Sequence, residues 1–216
     1  MSMSTAGFNA AIARPYAMMD APHVFGSTAL RVARTPLDWR WQQVVAAPAL
    51  ESTLWSGVAQ KLEGMVGVEK LSAVNIWVNE NIRFSDDTRS HATPDHWSTV
   101  DETLRRGEGD CEDYAIAKMH ILRAAGVPAS DLFLVITRDL VRRADHALLL
   151  VRVGGRFMVL DNSTDKILDA ADVRDYRPIY SFREGEAWIH GYRNTTQIAA
   201  ASSAPRPASA AAAPRP

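Results

Sequence analysis

A cysteine, a histidine and an aspartate stand in this chain where an acyl-transfer centre needs them. Cys111, the sole cysteine among 216 residues, follows the turn Gly107-Glu108-Gly109-Asp110 and opens an apolar-periodic segment. At a turn-to-helix junction, free backbone N–H groups and the positive helix end favour a thiolate. His146 begins one apolar run and Asp161 ends the next, with Gly154-Gly155 between them. A hairpin turning at that glycine pair sets His146 and Asp161 near the same end of adjacent strands, where a carboxylate can hold an imidazole. Together they read as nucleophile, general base and orienter. Taken singly, each has a plainer reading: a small core thiol, a hydrogen-bonded core histidine, the start of an Asp-Asn turn. Their conjunction on a helix and two strands favours the catalytic reading.

The neighbours of the thiol raise a difficulty. Asp110, Glu112 and Asp113 surround Cys111, and negative charge beside a thiol disfavours its ionised form. Clustered oxygen ligands suit a hard cation, and calcium would neutralise the charge while fixing the turn. The alternative is a charged helix N-terminus, where acidic side chains are welcome without any metal. His91, Asp95 and His96 sit in a polar loop and suggest a transition-metal site only weakly, because no further ligands accompany them. Asn75 and Asn79 share a helical face and read as solvated or locally bonded side chains rather than ligands.

The elements that must carry these residues follow from the apolar pattern. Leu50, Leu54, Val58 and Leu62 recur every four positions and predict a helix over Pro48–Met65. Leu71, Val74 and Val78 predict a second over Val68–Ile82. Ser85 to Thr99 is polar and loop-like. Cys111, Ala115, Met119 and Leu122 predict a helix over Cys111–Ala124, closed by Gly126 and Pro128. Three apolar runs follow, Leu132–Thr137, Ala147–Val153 and Phe157–Leu160, the last two joined at Gly154-Gly155 as a tight hairpin. Pro178–Phe182 reads as one more strand. Helices first and an antiparallel meander afterwards is an α+β layout.

Composition bounds the rest. Twenty-four Lys plus Arg against 25 Asp plus Glu give a net charge of −1, which offers nucleic acid or an anionic membrane no electrostatic footprint. No apolar window reaches the length of a bilayer span. One cysteine permits no intrachain disulfide and no Cys-rich structural metal site. Residues 199–216 are nine Ala, four Pro, three Ser and two Arg, a composition expected of a disordered tail. Residues 1–24 lack clear periodicity and do not read as a signal peptide, since no apolar run follows the first basic residue, Arg14. The expected folded domain therefore covers residues 25–194.

The segment Gly109-Asp110-Cys111-Glu112-Asp113-Tyr114-Ala115-Ile116-Ala117-Lys118 closely resembles the nucleophile motif of the bacterial transglutaminase-like cysteine proteinases. The similarity extends upstream through Val74-Asn75, Asn79, the Trp97 segment and Glu102-Thr103-Leu104. Downstream it covers Leu122 to Pro128, His146, Leu160-Asp161-Asn162 and Pro178 to Phe182. The resemblance implies a papain-like α+β fold and a Cys111-His146-Asp161 triad. It implies attack on a peptide carbonyl, an acyl-enzyme and its hydrolysis, with the Cys111 N–H as a natural oxyanion donor. Trp97 could add an indole N–H, though a packed aromatic is the simpler role. The family's best-known branch resembles periplasmic, calcium-dependent proteases that clip large biofilm adhesins. From that branch follow Asp110 and Glu112 as calcium ligands, a surface adhesin as substrate, an inner-membrane signalling receptor as sequestering partner, and a periplasmic location. Acyl transfer to amines on a similar fold, and a non-catalytic binding module, remain the alternatives.

Overall fold

A computed structural model describes residues 21–46, 53–85 and 96–193, without the side chains of residues 53 and 54. The helices are α1 (Asp38–Val45), α2 (Thr53–Leu62), α3 (Gly67–Asn81), α4 (Val100–Arg106) and α5 (Cys111–Ala124). The strands are β1 (Thr28–Val32), the short pair β2 (Arg83–Phe84) and β3 (Glu108–Gly109), then β4 (Leu132–Asp139), β5 (Ala144–Val153), β6 (Arg156–Asp161), β7 (Thr164–Asp169), β8 (Tyr176–Arg183) and β9 (Glu186–Gly191). Seven strands form one sheet in the order β1-β9-β8-β4-β5-β6-β7, and every neighbouring pair is antiparallel. This is the expected α+β fold, helices followed by an antiparallel sheet.

The runs Leu132–Val135 and Ala147–Val151 are apolar without alternation because both faces of the sheet's centre are covered. Leu134, Leu149, Val151, Leu160 and Phe182 pack with the helices in one core. Phe133, Val135, Leu148, Leu150 and Trp188 pack in a second with Val24, Phe25 and Val173. The hairpin turns at Gly154-Gly155 with φ of 58° and 79°, the left-handed pair that glycine adopts without a Cβ penalty.

Two expected helical faces differ in detail. In α2 the buried residues are Trp55, Ala59 and Leu62, with Val58 only partly buried at their edge; the tryptophan, a larger apolar body than the valine, turns toward the core. Leu50 lies outside the described residues. In α3 the expected Leu71, Val74 and Val78 are all buried. Helix α5 is enclosed on every side, its residues Glu112 to Leu122 all buried, so its four-residue apolar stripe understates its place at the centre of the fold. Helix α4 carries a capping box: the Thr99 hydroxyl accepts from the Glu102 N–H while the Glu102 carboxylate accepts from the Thr99 N–H. The Thr-x-x-Glu spacing is the sequence signature of that start.

At the far edge of the sheet, buried His190 bridges β9, β8 and the segment before β1. The Ser27 hydroxyl donates to the Val24 carbonyl and so accepts from His190 Nδ1 at 2.7 Å. Nε2 then accepts from Ser181 Oγ at 2.7 Å. Burial first, and the charge of His23 second, pull His190 down to about 4. An unfolded histidine binds a proton below about pH 6.5, so the unfolded chain holds more protons between about 6.5 and 4. Stability is therefore full above that window and falls on acidification through it, by at most about 3 kcal/mol. Urea unfolding at pH 7.5, 6 and 5 is expected to show a steeper decline for the parent than for His190→Gln. Equal slopes would remove His190 from the account.

Candidate active site

Asp110 is the N-cap of α5 in an extended conformation, and Cys111 is the first helical residue. The turn before it is held by β2 and β3, whose parallel pairing sets Phe84 beside Gly109. Gly109 is required by packing: a Cβ there would stand 2.7 Å from the Cβ of Asp113. Asp113 is fully buried. Its Oδ1 accepts from the Ser98 N–H at 2.8 Å, and Oδ2 lies 3.5 Å from Arg106 Nη2. The third acidic neighbour of the thiol thus ties the turn and the segment before α4 to the helix start.

His146 and Asp161 meet as the hairpin geometry predicts. His146 Nε2 and Asp161 Oδ1 are 3.0 Å apart, both side chains buried. With Nε2 committed to the carboxylate, Nδ1 is the ring nitrogen left for a thiol. Asp161 Oδ1 also accepts from the Ser163 N–H at 2.9 Å. The Tyr176 hydroxyl donates to Asp161 Oδ2, and its ring stacks on His146 with centroids 5.6 Å apart. Burial alone would raise Asp161, but the His146 hydrogen bond and charge, then Tyr176 and Ser163, hold its carboxyl well below the usual carboxylate range. Burial and the same carboxylate push Tyr176 upward, keeping it a donor. Tyr176 was not legible as a site residue, because no local spacing links it to Asp161.

Cys111, Glu112, Trp97 and His146 line one open cavity of about 1040 Å³, together with Asn162 and Tyr180. The Cys111 thiol donates to Glu112 Oε2 at 3.2 Å. Burial, then the charges of Glu112 and Asp110, push the thiol well above its ordinary range, while the Ala147 N–H opposes them. The difficulty visible in the sequence is thus present in the fold: the thiol is turned toward a carboxylate. Trp97 is buried edge-on against Phe182, with centroids 6.2 Å apart, and takes the packed-aromatic role.

Asn75 and Asn79 correct the expectation of solvated or local side chains. Asn75 Nδ2 donates to the Thr164 carbonyl at 2.8 Å. Asn79 Nδ2 reaches the Asp161 carbonyl at 3.2 Å and Asp165 Oδ1 at 2.9 Å. The two asparagines bind α3 to the turn between β6 and β7, and so support the backbone of Asp161. Of the loop residues weighed as metal ligands, His91 and Asp95 lie outside the described residues. His96 is half-buried. Among the described residues, His, Cys, Asp and Glu side chains form no group of three or more that could hold a metal ion.

Residues 57–190 match the profile of the family described as bacterial transglutaminase-like cysteine proteinase. No curated protein matches the chain. Among solved structures the chain is similar to three of LapG from Legionella pneumophila. The EGTA-treated form is 28% identical, with a TM-score of 0.57, over 66% of this chain and 81% of that one. A second form is 27% identical, with a TM-score of 0.58, over 70% and 83%. The calcium-bound form is 26% identical, with a TM-score of 0.58, over 72% and 88%.

Proposed function

Because the chain belongs to the bacterial transglutaminase-like cysteine proteinase family and is a cysteine protease, we propose that it is an endopeptidase working through Cys111, His146 and Asp161. One observation carries this reading: the sole thiol opens a helix in the same cavity as an imidazole whose Nε2 is held by a buried carboxylate. His146 Nδ1 takes the Cys111 proton, and the sulfur attacks the peptide carbonyl carbon. The resulting oxyanion is met by the Cys111 N–H at the start of α5. His146 returns the proton to the leaving amine as the C–N bond breaks, leaving a thioester. Water, deprotonated by His146, then attacks the thioester and releases the carboxylate product and the thiol. Asp161, with Tyr176 and Ser163 on its other lone pairs, keeps the imidazole oriented through both steps.

The domain proposed to do this covers residues 25–194. Its substrate, by resemblance to the adhesin-cleaving branch, is a large surface adhesin cut in the periplasm to control biofilm attachment. The proposed regulator is an inner-membrane receptor that sequesters the protease. No helix among the described residues is long and apolar enough to cross a membrane.

Calcium is the proposed cofactor, with Asp110 and Glu112 as its side-chain ligands. The chemistry fits: both are carboxylates, and a cation held by them would offset the negative charge that, after burial, pushes the Cys111 thiol upward. Calcium takes about six to eight oxygens, so backbone carbonyls and water would complete the shell. LapG, similar to this chain, has been solved calcium-bound and EGTA-treated. Chelation is expected to suppress cleavage and lower the melting temperature by about 5–10 °C relative to calcium at a hundredfold its Kd. Calcium should restore both and magnesium should do so poorly. Asp110→Ala with Glu112→Ala should mimic the chelated protein. Calorimetric titration without binding at millimolar calcium would remove the site.

The reaction class is tested by supplying an amine acceptor during cleavage and weighing the products. A new C-terminal carboxylate is expected to dominate. Faster covalent attachment of the amine would replace hydrolysis by acyl transfer.

A further inference from the structure

Strand β8 lies inside the sheet, between β9 and β4, and it carries Pro178. A proline brings no N–H to a ladder, and within sheets it is confined to edges and bulges. A bulge is what forms here. Thr137 of β4 stands opposite Pro178 and Ile136 opposite Tyr180, so Ile179 is one residue too many. The Tyr192 hydroxyl donates to the Pro178 carbonyl at 3.2 Å, which ties the bulge to the end of β9.

In a regular strand, successive side chains point to opposite faces. Ile179 and Tyr180 are successive, yet both line the cavity that holds Cys111. The extra residue bends the strand and re-aims its side chain. Ile179 is 37% exposed, and among the described residues it packs in neither core, so its apolar surface faces the open cavity. Leu37 and Ile136 line the same cavity. They and Tyr180 also pack against the helical core, which makes this wall preformed. None of the four carries a charge that an apolar occupant would strip of water.

We propose that Ile179, aimed by the bulge that follows Pro178, is a specificity-determining residue: with Leu37, Ile136 and Tyr180 it forms a subsite for an apolar side chain of the peptide substrate. The subsite rests on the reading of the chain as an endopeptidase acting through Cys111. Its occupant follows from continuity, since wall and thiol share one cavity. The occupant's place along the substrate follows from the sheet. Ala147, next to the base, stands opposite Ile136, and Ile136 opposite Tyr180. Two strand spacings make about 10 Å, which an extended chain covers in about three residues. The apolar side chain is therefore expected about three positions from the cut bond.

The test is digestion of a proteome-derived peptide library by the whole chain with calcium present, the cuts being mapped by mass spectrometry. The parent is expected to enrich apolar residues at one position, about three residues from the cut. Ile179→Ala should weaken that enrichment about tenfold, and Ile179→Glu should abolish it, while preferences at other positions stay as they were. A matched pair of peptides with Leu or Ala at that position should show the same narrowing as a ratio of kcat/KM values. No cut by the parent in any peptide would overturn the endopeptidase reading, and the subsite with it. Cleavage without an apolar preference there, or with one that both variants keep, would leave that reading standing and overturn the role of Ile179. So would a loss of cleavage that falls equally on every peptide, the mark of a residue that only supports the fold.

Discussion

Cys111→Ala is expected to abolish cleavage of a native substrate, by at least about 10⁴-fold in kcat/KM, while the protein stays folded. The chain has no second thiol to take over. Cys111 is only partly buried and packs against the helical core, so alanine keeps the Cβ and the helical propensity of the first α5 position. The substitution also removes the thiol's contact with Glu112, the loss of a single weak S–H donor. Unfolding free energy should therefore move by no more than about 1 kcal/mol. Urea unfolding beside a cleavage assay checks both halves. Cleavage that survives in purified Cys111→Ala protein would end the cysteine-protease mechanism for this site.

The pair behind the nucleophile should separate activity from stability. His146→Ala removes the base and leaves Asp161 buried with one fewer donor. Cleavage should fall by about 10⁴-fold, and stability by about 2–3 kcal/mol, the cost of an under-satisfied buried charge. Asp161→Asn is gentler on the fold. An asparagine Oδ1 can still accept from His146 Nε2 and the Ser163 N–H, while its amide must turn the Tyr176 hydroxyl from donor to acceptor. What it loses is the charge that stabilises the imidazolium, so kcat should drop by about 10²–10⁴-fold with KM little changed. Steady-state kinetics and iodoacetamide alkylation of Cys111 at neutral pH measure this. An alkylation rate unaltered by His146→Ala would mean that thiol and imidazole do not meet.

The sequence carried the site further than it carried the sheet. The helix bearing Cys111 and the hairpin bearing His146 and Asp161 could be drawn because each depends on local signals: a turn before an apolar period, and a Gly-Gly pair between apolar runs. Strands β1, β7 and β9 had no such signal. β7 exposes Asp165 and Lys166, and β1 is the sheet's outer strand with β9 beside it. Neither is buried enough for its alternation to stand out. Tyr176 and Asn79 stayed hidden for a different reason. Each meets Asp161 from a distant element, and single-sequence periodicity holds no term for such contacts. Helix α4 was not among the expected elements, although the Thr99-x-x-Glu102 spacing is a local signal for its start.

The pairing of β1 with β9 has a bearing on how the protein comes into being. Ala29 faces His190 across that ladder, about 160 residues away along the chain, and closing so long a loop costs entropy that nearer pairings do not. Helix α5 and the β4–β6 meander can gather Cys111, His146 and Asp161 while the chain is still being made. β9 must wait until residue 191 has emerged. Until β1 arrives, β9 offers an open strand edge flanked by Trp188 and Ile189, the kind of edge that captures other chains. Refolding should therefore show a late phase in which the thiol is already reactive and the tryptophan at position 188 is still wet, and this interval is when a young chain is most exposed to aggregation.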